Sequence, residues 1–393
     1  MSREGLRLTT LNVWALPFGL SRHTAARMEA ISRRLGQLEP DVAAFQEVWT
    51  EEARTALLAG GRRAGLSHAW HNPSARGGSG LLLLSRRPFL DVQFSAYLLR
   101  GLPQRLQHGD YWGGKGFVLA RLQTAAGPLT VLDTHLHAQY TPDPVDEYRG
   151  IRTAQVVQLA AALLDRNDPV VALGDFNLRA GNPDHAVLMG LTRFTDVALA
   201  LGNPQDTILA DHPYRRRARG HGNDTGGDGG ERIDYAFIRT GDRAEAVPKR
   251  IEREFDQALE IGGEPAAYSD HAGLLVEMEV VSVPPRVLPA ADPAALTRAR
   301  ALLGQGRSEA VRRRGIERSF ALGSSAVALA ALPAAAQQRV SRRRFLAGLL
   351  AGLGVAAVPA AGGTALLAEV AVPRELAAYA QVELLLDRFI PAA

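Results

Sequence analysis

The run "VVALGDFNL" (170–178) places a carboxylate, Asp175, and an amide, Asn177, two positions apart at the end of a small, apolar segment. On an extended chain, residues two apart project to the same side. The pair can then aim at one point beyond the strand's end. Equally, Asp-Phe-Asn can be a plain turn, because Asp and Asn favour turns. The other apolar segments discriminate between these readings by how they finish. One ends in Asn12 and another in Glu47. "VLDTHLH" (131–137) brings His135 and His137, "RIDY" (232–235) brings Asp234, and "YSDHAG" (268–273) brings Asp270 and His271. Core packing does not demand polar ends on so many segments.

The residue types define a chemistry. Glu47, Asp175 and Asp270 offer hard oxygen ligands. The chain of 393 residues contains no cysteine, so a metal would be held by oxygen or imidazole, Mg²⁺ first and Mn²⁺ as the alternative. A histidine beside a carboxylate can be fixed in one tautomer and act as a base near neutral pH. Asn12 and Asn177 are neutral and can hold a phosphate oxygen or a water without repelling it. Together these are the parts for metal-assisted attack of water on a phosphate ester.

Regular elements must carry these groups. "LRLTTLNV" (6–13) alternates as a strand, and Met28, Ile31, Leu35 and Leu38 repeat at helical spacing over 24–38. Strand patterns follow at 41–49, 79–85, 116–122, 128–137, 232–239 and 271–280, with helices expected at about 50–60 and at 146–165. The strands do not alternate regularly with helices, which favours an α+β layered fold over a doubly wound sheet. Hydrophobic residues make up 46% and charged residues 22%, an ordinary globular balance. The net charge of +4 suits a phosphate-bearing substrate or an anionic membrane surface. The glycine-rich stretch 215–230 opens with three arginines, read as a solvated loop ahead of a nucleic-acid contact. The N-terminus shows no apolar signal-peptide core.

"LNVW", "FQEVW", "THLHAQY", "GDFN", "RIDY" and "SDH" occur in this order over residues 5–280. The set resembles the endonuclease/exonuclease/phosphatase superfamily, which implies a four-layer α/β/β/α sandwich with two mainly antiparallel sheets. Within it the chain looks most like the membrane-associated neutral sphingomyelinases. Trp14 stands two residues after Asn12, where many nuclease relatives carry an acidic residue. "HGDYWGGKG" (108–116) places Asp110 and Lys115 as in a loop of those enzymes, and "THLHAQY" matches their strand. The resemblance implies Glu47 as principal Mg²⁺ ligand, with Asn12 supporting metal or phosphate and Asp270 contributing to the metal region. It implies Asp175 and Asn177 for positioning the attacking water and a phosphate oxygen. His271 would be the general base oriented by Asp234, and His135 would stabilise phosphoryl charge. Asp110 and Lys115 would form a switch-like pair. The implied reaction converts sphingomyelin, or a related phospholipid, to ceramide and phosphocholine.

From 282 the composition shifts. A catalytic domain over 1–281, a linker over 282–293 and an Ala-rich helical region over 294–393 are expected. Segments 319–338 and 345–368 carry no charge. The second is long enough to span a bilayer, and a membrane hairpin or tail anchor is favoured over a buried helical hairpin. Arg342, Arg343 and Arg344 precede it, so with that segment alone spanning, the catalytic domain lies on the cytoplasmic face of a membrane. Two readings compete with the sphingomyelinase: a nuclease or phosphatase of the same superfamily, acting on DNA or inositol phosphates, and a non-enzymatic membrane-tethered binding protein. Trp14 and the apolar tail disfavour the first, and the full set of catalytic positions disfavours the second. Nucleic acid is not the expected partner.

Overall fold

The computed structural model describes residues 2–72, 79–141, 145–214, 229–340 and 344–390. The arginines at 215–217 and Arg342 and Arg343 lie outside the described residues. In chain order the elements are β1 (Arg3–Ala15), α1 (Thr24–Leu38), β2 (Val42–Val48), α2 (Glu51–Arg63), β3 (His68–His71), β4 (Leu82–Ser85) and β5 (Phe89–Ala96). Then come α3 (Asp110–Gly113), β6 (Gly116–Thr124), β7 (Gly127–His135), α4 (Arg149–Ala162), β8 (Val170–Asp175), α5 (Pro183–Thr192), β9 (Thr195–Asp196) and α6 (Val197–Ala200). The chain continues through β10 (Asp234–Arg239), β11 (Ala244–Glu254), β12 (Leu259–Ile261), β13 (Glu264–Ala266) and β14 (Gly273–Ser282). It closes with α7 (Pro293–Val340), α8 (Arg344–Leu366) and α9 (Val372–Asp387).

One six-stranded sheet has the order β11-β14-β1-β2-β4-β3, and the other β5-β6-β7-β8-β10-β9. Only β1–β2 and β7–β8 run parallel within them. Three apolar layers define the stacking. Leu6, Leu8, Val42 and Ala44 of the first sheet meet Val131, Val171, Leu173 and Ala236 of the second. α1 and α2 cover the outer face of the first sheet with Met28, Ile31, Leu35 and Leu57. α4 and α5 cover the second with Val156, Leu159 and Leu188. This is the four-layer α/β/β/α sandwich expected from the sequence.

The alternation of each strand explains where the polar groups go. On β1, Leu6 and Leu8 face the inter-sheet layer, so Thr10 and Asn12 continue that face. On β8 the same face runs Val171, Leu173, Asp175, and on β7 it runs Leu129, Val131, Asp133, His135. On β10 it runs from Asp234 to Ala236 and Ile238. The layer between the sheets is apolar along most of its depth and turns polar at one end. Gln46 marks the transition, donating from Nε2 to Asp133 Oδ1 (2.7 Å) across the sheets and to Thr10 Oγ1 (3.1 Å).

Pairing sets the lateral order. His135 pairs with Asp175 across β7–β8, and Asp175 with Asp234 across β8–β10. Gly174 has φ +134°, and a Cβ there would stand 2.1 Å from Thr134 O. A side chain at this position would push apart β7 and β8, the strands that align His135 with Asp175. Gly174→Ala is expected to destabilise the fold by at least about 3 kcal/mol, read as a lower denaturant midpoint.

The C-terminal helices share the core of the sandwich. Ala295, Ala299, Leu302 and Leu303 of α7, and Tyr379, Val382 and Leu386 of α9, pack into the layer under α4 and α5. α7 crosses α4 at a glycine pair: a Cβ on Gly150 would lie 2.8 Å from Gly306 Cα. Farther along, Arg314 and Arg318 pair with Glu369. Beyond that band α7 and α8 run on together with Phe320, Leu322, Leu329, Phe345 and Leu349 exposed. Both arms are long and apolar enough to cross a membrane.

Candidate active site

The polar ends of the inter-sheet layer converge. Asn12 Nδ2, from the first sheet, donates to Asp175 Oδ2 of the second at 3.0 Å. His135 Nε2 lies 3.2 Å from the same oxygen and 2.5 Å from Lys115 Nζ. His271 Nδ1 faces Asp234 Oδ2 at 2.9 Å. Ligand atoms of Asp175, Asp234 and His271 all lie within 4.8 Å of one another. Each of these side chains is at least nine-tenths buried.

Backbone strain surrounds the same point. Trp14 (φ 48°), Glu47 (φ 58°) and Asn177 (φ 48°) adopt the left-handed conformation that non-glycine residues avoid. Such strain persists where the surroundings over-determine it, and it concentrates at functional sites. At Trp14 it belongs to a register shift between β1 and β2. The loop there is clamped by Arg27, fully buried, which donates to Val13 O (2.7 Å), Trp14 O (2.8 Å) and Tyr268 O (3.0 Å). At Asn177 the chain leaves β8 in a turn capped by Asp175, whose Oδ1 accepts from Asn177 N at 3.0 Å. The turn reading of "GDFN" is therefore realised, and the turn leaves Asp175 among the converging polar strand ends. The turn brings the backbone N–H of Asn177 to the carboxylate, while its side-chain amide donates to Leu136 O at 3.0 Å.

Asn12 has both polar atoms engaged, since Oδ1 accepts from Trp14 N at 3.0 Å. The "SDH" segment is tied to β1 by Ser269 Oγ, which donates to Asn12 O. Thr207 Oγ1 accepts from Asp234 N at 3.2 Å. Arg27, Thr207, Gln46 and Asp133 were not singled out by sequence reasoning. Each holds the site through backbone or inter-sheet bonds, which residue type alone does not reveal even where, as for Gln46 and Asp133, the residue lies inside a quoted motif.

Charge is unevenly compensated. Burial alone would raise the affinity of Asp175 for a proton, but His135, then His271 and Lys115, outweigh it and hold the carboxyl well below its usual range. For His271 burial works toward neutrality. Asp234, with Asp270 and Asp175, overrides it and holds the ring protonated well above its ordinary value. In this pair we place the proton on His271, although burial also raises Asp234. Glu47 is different. Burial raises it, His135 opposes that, and Asp270 adds to it. Its ionic neighbour among the described residues is His135 Nε2 at 3.9 Å. Asp270 is likewise raised by burial, against His271 and Arg27. Both carboxyls thus stay raised although His135, His271 and Arg27 offset part of their burial, and as hard oxygen donors they would suit a divalent metal ion. Asp175 fits one less well because both its oxygens already accept hydrogen bonds, whereas His271 is engaged through Nδ1 alone.

Lys115 and Asp110 form a buried ion pair at 2.6 Å rather than a surface one. Lys115 Nζ also donates to Leu136 O at 3.1 Å. Glycines with positive φ, Gly109 and Gly114, flank the short α3 between them. His137, weighed as either structural or functional, backs this loop. Its ring stacks on Tyr148 at 4.0 Å, and Nδ1 donates to Ala138 O at 2.8 Å. Burial lowers it to about 4. The unfolded chain then takes the proton first, so stability falls as pH drops from about 6.5 toward 4. The expected loss is about 3 kcal/mol relative to His137→Gln, measured by denaturation of both proteins across that window.

The model of the Endonuclease/Exonuclease/phosphatase family matches residues 9–271. A putative neutral sphingomyelinase of Drosophila melanogaster is 28% identical over 313 residues, 79% of this chain and 68% of that protein. Human sphingomyelin phosphodiesterase 2 is 34% identical over 180 residues, 44% of this chain; the chain spans 41% of its length. Among solved structures, sphingomyelinase C from Streptomyces griseocarneus superposes with a TM-score of 0.52 at 16% identity, covering 70% of this chain and 99% of that one. The sandwich, the converging strand ends and these matches agree: the chain belongs to the endonuclease/exonuclease/phosphatase family and within it is neutral sphingomyelinase-like.

Proposed function

We propose that this chain is a Mg²⁺-dependent phosphodiesterase that cleaves sphingomyelin to ceramide and phosphocholine at a membrane surface. The observation that carries the reading is the His271–Asp234 pair set among the same strand ends as Glu47 and Asp270, in a chain whose relatives bear sphingomyelinase names. Asp234 accepts from Nδ1–H of His271, which leaves Nε2 to take a proton from the attacking water. The water oxygen bonds to phosphorus, and the bond from phosphorus to the lipid oxygen breaks. Glu47, with Asp270, would hold the cation, which would supply charge stabilisation to the phosphoryl group and offset part of the field that keeps His271 protonated. Asn177 and His135 would face the phosphoryl group, and Lys115 would donate to it on release from Asp110. Asn12 braces Asp175 from the opposite sheet.

The apolar arms beyond Arg318 and Glu369 support membrane attachment beside a lipid substrate. A comparison of sphingomyelin micelles with supercoiled DNA, under one metal concentration, tests the substrate class. Lipid hydrolysis should exceed nicking by a wide margin. The reverse order would favour the nuclease reading.

A further inference from the structure

The packing of α7 decides from which end of the sandwich the apolar arms extend. β1, β7 and β8 run toward the site and finish near Asn12, His135 and Asp175. α4 sets out from that same end: Tyr148 stacks on His137 at 4.0 Å, and Arg152 Nη1 donates to Ala138 O at 3.4 Å. Gly150 lies between those two residues, and α7 crosses there, since a Cβ on Gly306 would stand 3.0 Å from Gly150 Cα. The opposite end is marked by Asp165, in the loop that leads into β8, and Arg388 at the end of α9 pairs with it at 2.8 Å. The ion pairs Arg300–Asp387, Arg307–Glu383 and Arg313–Glu375 set α7 antiparallel to α9. α7 therefore runs toward the site end. It continues unbroken to Val340, and advances about 20 Å between Gly306 and Phe320. The apolar arms thus emerge past the active-site end of the sandwich.

The same end carries exposed aromatic tips. Beyond Asn12, the chain turns at Pro17–Leu20, where Leu20 N donates to Pro17 O at 3.2 Å. Phe18 stands at the tip, 96% exposed, with φ 60°. Packing gives no reason for that strained backbone, since the ring is in solvent. The base of the turn is firm: Arg27 Nε donates to Arg22 O at 2.7 Å, and Leu16 N to Ser21 Oγ at 3.1 Å. Trp112, on α3 between Asp110 and Lys115, is 58% exposed.

We infer that α7 is a rigid strut that holds the active-site end of the sandwich against the bilayer, with the Phe18 turn and Trp112 seated in the head-group layer. The inference rests on the membrane phosphodiesterase reading. Two independent features select the same end: the direction in which the arms leave, and the position of the exposed aromatics, which favour the membrane–water interface. A flexible tether would let the domain turn its mouth away from the lipid. A continuous helix, locked at a glycine crossing and by the Arg313–Glu375 pair, keeps the mouth and the bilayer in one geometry, which raises the effective concentration of substrate.

The chain has no cysteine, so single labels can be placed on the full-length protein. Phe18→Cys and Trp112→Cys probe the site end, and Ala125→Cys probes the exposed β6–β7 turn at the opposite end. Each carries a polarity-sensitive fluorophore and is bound to vesicles of sphingomyelin and phosphatidylcholine in EDTA, so the readout needs no turnover. The labels at positions 18 and 112 should shift to the blue and be quenched by a nitroxide lipid labelled near the head group. The label at position 125 should do neither. Flexible Gly-Ser insertions after Gly315 and after Ala371 keep the arms but cut the strut. They should abolish the shift at position 18 and lower phosphocholine release from vesicles by about tenfold, with hydrolysis of soluble bis(p-nitrophenyl) phosphate unchanged. Phe18→Ser should likewise lower turnover on vesicles and spare the soluble diester. A lipid signal at position 125 in place of 18, or signals and vesicle turnover unchanged by the insertions, overturns the inference and leaves the phosphodiesterase reading intact. A shift at position 18 that appears without vesicles and grows with protein concentration overturns it in favour of a second copy of the chain. Failure of the wild-type protein to hydrolyse either substrate with Mg²⁺ removes the phosphodiesterase reading, while the labels still report which end meets the bilayer.

Discussion

His271→Ala is expected to lower kcat/KM for the lipid diester by about 10³- to 10⁴-fold, the range of a lost general base. Stability should fall too, because the variant strands a buried Asp234 carboxylate, and removing one partner of such a pair costs about 3–5 kcal/mol. The two effects can be separated. Adding Asp234→Asn to His271→Ala removes the orphaned charge and should recover most of the stability but none of the turnover. Denaturation midpoints and initial rates on the three proteins check this. Recovery of activity in the double variant would exclude His271 as the base.

Glu47→Gln should have the opposite effect on stability. Its side chain is 19% exposed and feels the charge of Asp270, with His135 3.9 Å away as partial compensation. Neutralising it should raise the melting temperature in EDTA, by the equivalent of about 1 kcal/mol. The same change should cost about 10³-fold or more in Mg²⁺-dependent turnover, since several kcal/mol of charge stabilisation depend on the ion it would hold. Titrating Mg²⁺ against activity, and melting both proteins in EDTA, measures each half. A variant less stable in EDTA and still active would mean that Glu47 is a structural carboxylate.

The inner strands and the site residues they carry were legible because alternation and polarity coincide there. β1, β7, β8 and β10 are buried on both faces, so a change from apolar to polar along one face stands out at Asn12, His135, Asp175 and Asp234. Edge strands were not legible. β11 reads "AEAVPKRIERE" and carries Pro248 at a register shift, and β5 is half exposed. Such edges favour charge and proline, which mask the strand pattern. α5 escaped notice because α7 packs over the side turned away from the sheet, burying seven of its ten residues and erasing the amphipathic stripe. The turn at Asn177 was not legible, because its left-handed backbone follows from a bond to Asp175 rather than from residue type alone.

The most direct test of the central claim is release of phosphocholine from sphingomyelin in mixed micelles, measured with Mg²⁺, with EDTA, and with His271→Ala. Release that needs the metal and disappears in the folded variant is the expected result. No release from folded wild-type protein with Mg²⁺ present, or release that persists in EDTA and in the variant, would contradict it.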